Sequence, residues 1–363
     1  MTSPAPDALI ADLRTLVECE SPSSDPDALA RSADLVARLG TERLGVEPER
    51  LGIHLRWRLG GPTRVLVLAH HDTVWPIGTL RTHPFGISDG VLRGPGSFDM
   101  KTGLAMALHV LGSLDDRTGA TLLVTGDEEI GSPSSRTLIQ DEARGADAAL
   151  VLEASADGGA LKLERKGTSI YRVLVKGRAA HAGLEPEKGV NASVELAHQV
   201  LAVAALGDPA LGTTVTPTVA TSGTTGNTVP AEASFAVDVR ARTVAEQQRV
   251  DSAIRALIPV LPDAALKIEG GINRPPLEGA LSAALFARAS RIAADAGLPP
   301  LTGVAVGGAS DGNFTAGVGT PTLDGLGAVG GGAHADDEHV LTDHIPARMS
   351  LLRALIVDLL PTR

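Results

Sequence analysis

Three carboxylates, Asp127, Glu128 and Glu129, follow directly on an apolar run, Ala120-Thr-Leu-Leu-Val-Thr125, that has the length and composition of a buried strand. Acids so placed repel one another unless a cation or a proton offsets their charge. An extended backbone would send Glu128 and Glu129 to opposite sides. One could then hold a metal while the other moves a proton. Four other positions could join them. His70 ends the apolar run Val65-Leu-Val-Leu-Ala-His70, with Asp72 two residues on to orient its ring. Asp99 is expected to cap an Ala- and Leu-rich helix over 100–114. Glu153 closes the apolar run Ala148-Ala-Leu-Val-Leu-Glu153 and needs a counter-charge there. His334 lies in the glycine-rich stretch Gly330-Gly-Gly-Ala-His-Ala-Asp-Asp-Glu338, with His339 and His344 as neighbouring alternatives.

These residues need elements to position them. Helical periodicity is expected over 7–18, 26–40, 100–114 and 132–144, with strands at 65–70, 120–125 and 148–153. Strands alternating with helices predict an α/β domain whose parallel-rich sheet is covered on both faces. Such sheets place ligands off the carboxyl ends of their strands, where His70, the Asp127–Glu129 trio and Glu153 all fall. The texture changes near Gly167. Residues 168–274 read strand, helix, strand, strand, helix, strand, an α+β insertion of ordinary domain size. The catalytic domain is therefore expected over 1–167 and 275–363, with a helix at 279–296, strands at 302–306 and 320–323, and a last helix at 344–360.

The 363-residue chain has a net charge of −11 and no basic cluster, so nucleic acid and anionic membrane surfaces are not expected partners. A single cysteine, Cys19, excludes an intrachain disulfide and a cysteine-based zinc site. The first residues lack the basic and apolar segments of a secretion signal, so a cytoplasmic protein is expected. Two motifs compete with the metal reading. Gly308-Ala-Ser-Asp-Gly312 matches the nucleophile elbow of serine hydrolases, with Ser310 as nucleophile and Asp324 with His334 or His344 downstream. It leaves the acids at 99, 128, 129 and 153 without a purpose. Gly325-Leu-Gly-Ala-Val-Gly330 matches a dinucleotide fingerprint, but no helix pattern follows it.

Taken in order, Leu68-Ala-His-His-Asp-Thr-Val-Trp-Pro76, Gly94-Pro-Gly-Ser-Phe-Asp-Met-Lys-Thr-Gly103, Asp127-Glu-Glu-Ile-Gly131 and the late His334 resemble the co-catalytic zinc peptidase family. That family includes glutamate carboxypeptidase (carboxypeptidase G), aminoacylase, acetylornithine deacetylase and succinyl-diaminopimelate desuccinylase. The resemblance is strongest to glutamate carboxypeptidase and runs the full length. It implies a phosphorylase/hydrolase-like catalytic domain with a mixed, mostly parallel sheet between helices. The insertion would be a ferredoxin-like lid and dimerisation domain joining a homodimer.

The resemblance implies two zinc ions, one held by His70, Asp99 and Glu153 and the other by Asp99, Glu129 and His334. Asp99 is shared, Glu128 is the general acid/base and Asp72 supports His70. In the insertion, His181 of Arg178-Ala-Ala-His181-Ala-Gly183 would reach a substrate carbonyl, and Asn227 and Arg240 would hold the substrate, Arg240 by its carboxylate. Gly308 would meet the substrate through its backbone. Two positions depart from the family: Met100 replaces an acid, and Ala154 replaces a common proline.

The charges suit this arrangement. Two zinc ions carry four positive charges, which Asp99, Glu129, Glu153 and one bridging hydroxide balance. Nitrogen and oxygen ligands without thiolate suit zinc, with cobalt or manganese able to substitute. The resulting expectation is a hydrolase that cuts an amide, peptide or N-acyl, next to a free carboxylate, using that hydroxide as nucleophile. Its substrates would be N-acyl amino acids or short peptides. The alternatives are the Ser310 hydrolase and a catalytically idle relative that binds a carboxylate.

Overall fold

The computed structural model describes residues 6–360. The described residues divide into two compact units, one of residues 6–164, 277–306 and 310–360, the other of residues 165–276 and 307–309.

The first unit is built on a six-stranded sheet whose order is 49–51, 54–58, 120–125, 65–70, 148–151, 322–323. Val65–His70 pairs in parallel with Ala120–Thr125 and Ala148–Val151, and Thr322–Leu323 adds in parallel to the latter. His54–Arg58 runs antiparallel to Ala120–Thr125, so the sheet is mixed but mostly parallel, as the apolar runs imply. Alternation along the central strand splits the core. Val65, Val67 and Ala69 join Leu9, Leu13, Val36, Leu104, Leu108 and Leu352 in a cluster that draws on the helices Pro6–Glu18, Pro26–Leu44, Thr102–Gly112 and Ile345–Leu359. Leu66 and Leu68 face the other way, with Ile139 of Arg136–Ala143 and Phe314 of Gly312–Gly317. Both faces are thus covered, which is why these strands are unbroken apolar runs. Residues 86–93 form a hairpin, Gly86–Ser88 with Val91–Arg93, extended by His339–Leu341 and Gly330–Gly331.

The second unit has the order strand, helix, strand, strand, helix, strand: Gly167–Lys176, Ala192–Ala204, Thr214–Ser222, Glu232–Ala241, Val244–Arg255 and Ala265–Arg274. Its antiparallel sheet runs 214–222, 232–241, 167–176, 265–274, the ferredoxin-like arrangement. Tyr171, Val173, Phe235, Val237 and Val239 pack on Val203, Val250 and Ile254 of the two helices. A short two-stranded ribbon pairs Ala180–His181 with Thr228–Val229. Among the described residues, no helix is long and apolar enough to cross a membrane.

Candidate active site

Parallel pairing aligns the strand ends of the first unit, His70 lying opposite Thr125 and Leu68 opposite Val151. His70 is the last residue of its strand, and Glu153 follows Val151 by two positions. The His70 Nδ1 lies 3.0 Å from the main-chain carbonyl of Asp72. A carbonyl only accepts, so Nδ1 carries a proton and Nε2 is the ring nitrogen that faces the cluster. That Nε2 stands 3.3 Å from Asp99 Oδ1 and 3.7 Å from Glu153 Oε1.

The Asp72 carboxylate has a second task besides facing His70. It accepts from the backbone N–H of Glu128 at 3.2 Å and of Glu129 at 3.1 Å, and from the Ser23 hydroxyl at 2.6 Å. These bonds hold Glu128–Ile130 as one 3-10 turn. The expected extended path with opposed side chains is therefore corrected. Asp127 anchors the far side of the turn by accepting from Ser134 and Ser135. Curled in this way, both glutamates reach the cluster. One group of mutually close ligand atoms comprises His70, Glu128 and Glu153, and another comprises His70, Asp99 and Glu129, with atoms within 4.8 Å of one another in each. On distance alone, then, Glu128 is as near as the other acids.

Asp99 does not cap the helix after it, contrary to the sequence expectation. Its backbone is extended (φ −117°, ψ 96°), and the helix Thr102–Gly112 begins without a side-chain cap. The backbone N–H of Asp99 instead donates to Glu338 at 3.1 Å, leaving its carboxylate between His70 and His334. Gly103 brings this segment against the strand end that leads to Glu153. A Cβ at position 103 would lie 2.0 Å from the Leu152 carbonyl oxygen, so only glycine fits.

His334 takes a positive φ of 63° in the turn between Gly330–Gly331 and His339–Leu341. Its Nε2 reaches Glu129 Oε2 at 3.1 Å and Asp99 Oδ2 at 3.4 Å. Of the other late histidines, His339 turns its Nδ1 to the Asp337 carbonyl, and His344 ends a 3-10 turn before the last helix.

The electrostatics are those of a site short of positive charge. Burial alone would lower the His70 imidazole, yet Asp72, Asp99 and Glu153 hold it well above its ordinary value. Asp99 and Glu129 push the His334 imidazole up to about 10. Burial would raise Asp99, but the two imidazoles hold it far below the usual carboxylate range, while burial pushes Glu129 up. Three buried atoms of the cluster, His70 Nε2, Asp99 Oδ1 and Glu129 Oε1, have no hydrogen-bond partner. Unsatisfied buried polar atoms are costly, and here they converge on one another. Nitrogen and oxygen donors of this kind fit divalent cations such as zinc.

The remaining candidates lie in the second unit. His181 Nδ1 accepts from the N–H of Gly183 and of Leu184, both at 3.1 Å, which fixes the proton on Nε2 as an outward donor. Asn227 is beside it in the ribbon, its carbonyl accepting from the Ala182 N–H at 2.9 Å. Arg240 donates through Nε and Nη2 to both Asp238 oxygens at 2.8 Å. The Gly308 carbonyl accepts from Arg165 at 3.2 Å.

Ser310 gives no support to a serine hydrolase. It is fully buried, its hydroxyl donates to Asp324 at 2.6 Å, and it accepts from the Gly312 N–H. His334, one of the two histidines that could have served as its base, faces Asp99 and Glu129 instead.

Sequence reasoning missed Ser23 and Glu338. Ser23 lies in the helix-breaking stretch Ser21-Pro-Ser-Ser-Asp25, and Glu338 ends the acidic run Asp336-Asp-Glu338. Only burial distinguishes Glu338, which is 4% exposed, from Asp336 beside it in the same run.

Comparison with known proteins shows the family. Residues 66–358 match the model of peptidase family M20/M25/M40. The chain is 33% identical to carboxypeptidase G2 of Pseudomonas sp. (strain RS-16) across 97% of its own length and 89% of that protein. It is 28% identical to the succinyl-diaminopimelate desuccinylase of Roseobacter denitrificans across 97% of this chain and 98% of that one. An M20 family metallo-carboxypeptidase from Sulfolobus solfataricus superposes with a TM-score of 0.71 at 17% identity, covering 96% of this chain and 98% of that chain. A dinuclear metal binding peptidase of the M20 family from Bacillus subtilis gives a TM-score of 0.65 at 14% identity, covering 97% and 98%. With a family match spanning most of the chain and a cluster of imidazoles and carboxylates at the strand ends, this protein belongs to peptidase family M20/M25/M40 and is a metallo-hydrolase of the peptidase and amidohydrolase kind.

Proposed function

We propose that the enzyme hydrolyses an amide bond, peptide or N-acyl, adjacent to a free carboxylate on a small substrate. The similarity to a carboxypeptidase and to a succinyl-diaminopimelate desuccinylase supports this substrate class. The observation that carries the reading is the convergence of His70, Asp99, Glu129, Glu153 and His334, with three buried atoms left unsatisfied.

In this reading His70, Asp99 and Glu153 would hold one divalent cation and Asp99, Glu129 and His334 a second, both zinc, with Asp99 contributing to each. When bound, such a pair acidifies a water molecule and polarises the scissile carbonyl. Glu128 takes the proton from the attacking water and returns it to the departing nitrogen. Asp72 keeps Glu128 in place through the 3-10 turn it anchors. In the second unit, the Nε2–H of His181 donates to the substrate carbonyl oxygen as charge develops on it. Arg240, aligned by Asp238, receives the substrate carboxylate as a charge-assisted pair, and Asn227 and the Gly308 backbone complete the grip. This unit, residues 168–274 as a lid, also joins two copies into a homodimer.

The test is a panel of N-acyl amino acids and of dipeptides ending in Glu, Ala, Arg or Lys, assayed after chelation and again after adding zinc. Activity that disappears with the chelator and returns with zinc supports the proposal. Activity indifferent to the chelator would overturn it.

A further inference from the structure

Glu338 is a buried carboxylate beside the cluster that accepts four hydrogen bonds. Its Oε2 accepts from Trp75 Nε1 at 2.6 Å and from the Gly96 N–H at 2.9 Å. Its Oε1 accepts from the N–H of Phe98 at 2.8 Å and of Asp99 at 3.1 Å. Both oxygens are therefore fully occupied, and three of the four donors belong to the backbone segment that ends at Asp99. Local bonds within that segment (Ser97 N–H to Gly94 at 3.1 Å, Lys101 N–H to Gly96 at 2.9 Å) leave the N–H groups of Gly96, Phe98 and Asp99 to Glu338, with Gly96 at a φ of 71°. The fourth donor, Trp75, lies five residues after His70 on the segment carrying Asp72. Glu338 itself is four residues after His334, in a turn closed by Ala335 N–H to Gly332 and Glu338 N–H to Ala335. Its neighbour His339 pairs with Arg93, just before the Asp99 segment. Three of the chain segments that build the cluster thus meet at one buried carboxylate.

We propose that Glu338 is a positioning residue that sets the orientation of Asp99 relative to His70 and His334, and thereby the affinity of the site for its metal ions. The inference rests on the metal reading above. Partners that orient ligands from behind are worth roughly 10–100-fold in metal affinity. Charge alone is a competing cause, since removing any nearby carboxylate weakens the field on a cation. Asp336 separates the two causes. It belongs to the same acidic run, is 89% exposed, and has His83 at 3.6 Å as its ion-pair neighbour.

The experiment measures binding of zinc alone to Glu338→Gln and Asp336→Asn by competition with a chromophoric chelator, and the visible absorption of each protein loaded with Co2+. Glu338→Gln should weaken zinc binding about 10–100-fold and shift the cobalt bands, because its amide sets N–H against N–H at one pair of donors. Asp336→Asn should stay within about threefold of the parent, with unchanged bands, since its charge is exposed and screened. If Glu338→Gln does not fold, Glu338→Asp keeps the charge but is too short for all four donors, and the same loss is expected. Wild-type affinity and spectrum in the Glu338 variants would overturn the proposal, as would an equal loss in Asp336→Asn. A parent protein that binds no zinc would instead sink the metal reading itself, so the two failures are distinguishable.

Discussion

Replacing Asp72 by Asn tests how the site is assembled, because it leaves every candidate metal ligand in place. The carboxylate accepts the N–H of Glu128 at 3.2 Å and of Glu129 at 3.1 Å, together with the Ser23 hydroxyl at 2.6 Å. Whichever way an asparagine amide turns, its NH2 faces at least one of these donors. Hydrogen bonds to a charged group contribute about 1.5–3 kcal/mol each, so losing one or two costs roughly 2–4 kcal/mol. Expressed fully in the transition state, that is about a 30- to 1,000-fold loss in kcat. The loss should fall on kcat more than on KM, because the displaced group is Glu128 rather than a substrate contact. Steady-state kinetics in zinc-buffered solution, with thermal melting to exclude unfolding, measures it. Ser23→Ala removes only one of the three bonds and should cost less than Asp72→Asn does. A folded Asp72→Asn enzyme with kcat within threefold of the parent would refute the idea that Asp72 holds the catalytic turn.

Glu128→Gln should lose about 10²–10⁴-fold in turnover while retaining zinc, and zinc loss measured by elemental analysis would make Glu128 a ligand instead. Gly103→Ala forces a Cβ to within 2.0 Å of the Leu152 carbonyl oxygen, so stability in urea should fall by about 1–3 kcal/mol. Glu142 is buried between Arg56 and Arg58, which with Thr63 outweigh burial and hold its carboxyl below its ordinary value of 4.5. Its folded pKa being depressed, its contribution is complete above pH 4.5 and is lost as the pH falls below that value. Glu142→Gln should therefore flatten the acid side of the stability–pH curve and cost about 1–3 kcal/mol at neutral pH, less than for a fully buried pair because Arg58 is half exposed. An unchanged curve would show that this ion pair contributes nothing.

The α/β framework was legible because it depends on local pattern. Val65–His70, Ala120–Thr125 and Ala148–Val151 are wholly buried apolar runs, and the second unit shows its alternation along Gly167–Lys176. Polar residues at the ends of such strands attract notice in a sequence for the same reason, as His70 and Glu153 did. What could not be read depends on contacts across long separations. Asp99 looks like a helix cap in sequence, but its backbone N–H is claimed by Glu338, 239 residues away. The turn at Glu128 looks like the continuation of a strand, but Asp72 bends it from 56 residues away. The hairpin at 86–93 leaves no trace in the sequence because its strands are three residues long and partly exposed, too short for alternation to show.

The central claim, that His70, Asp99, Glu129, Glu153 and His334 together hold a pair of divalent cations, is tested most directly by anomalous diffraction at the zinc edge from zinc-replete crystals. Two peaks per chain are predicted, one touching His70, Asp99 and Glu153, the other Asp99, Glu129 and His334, with Asp99 between them. No peak among these five side chains, or a single peak that Asp99 does not touch, would contradict it.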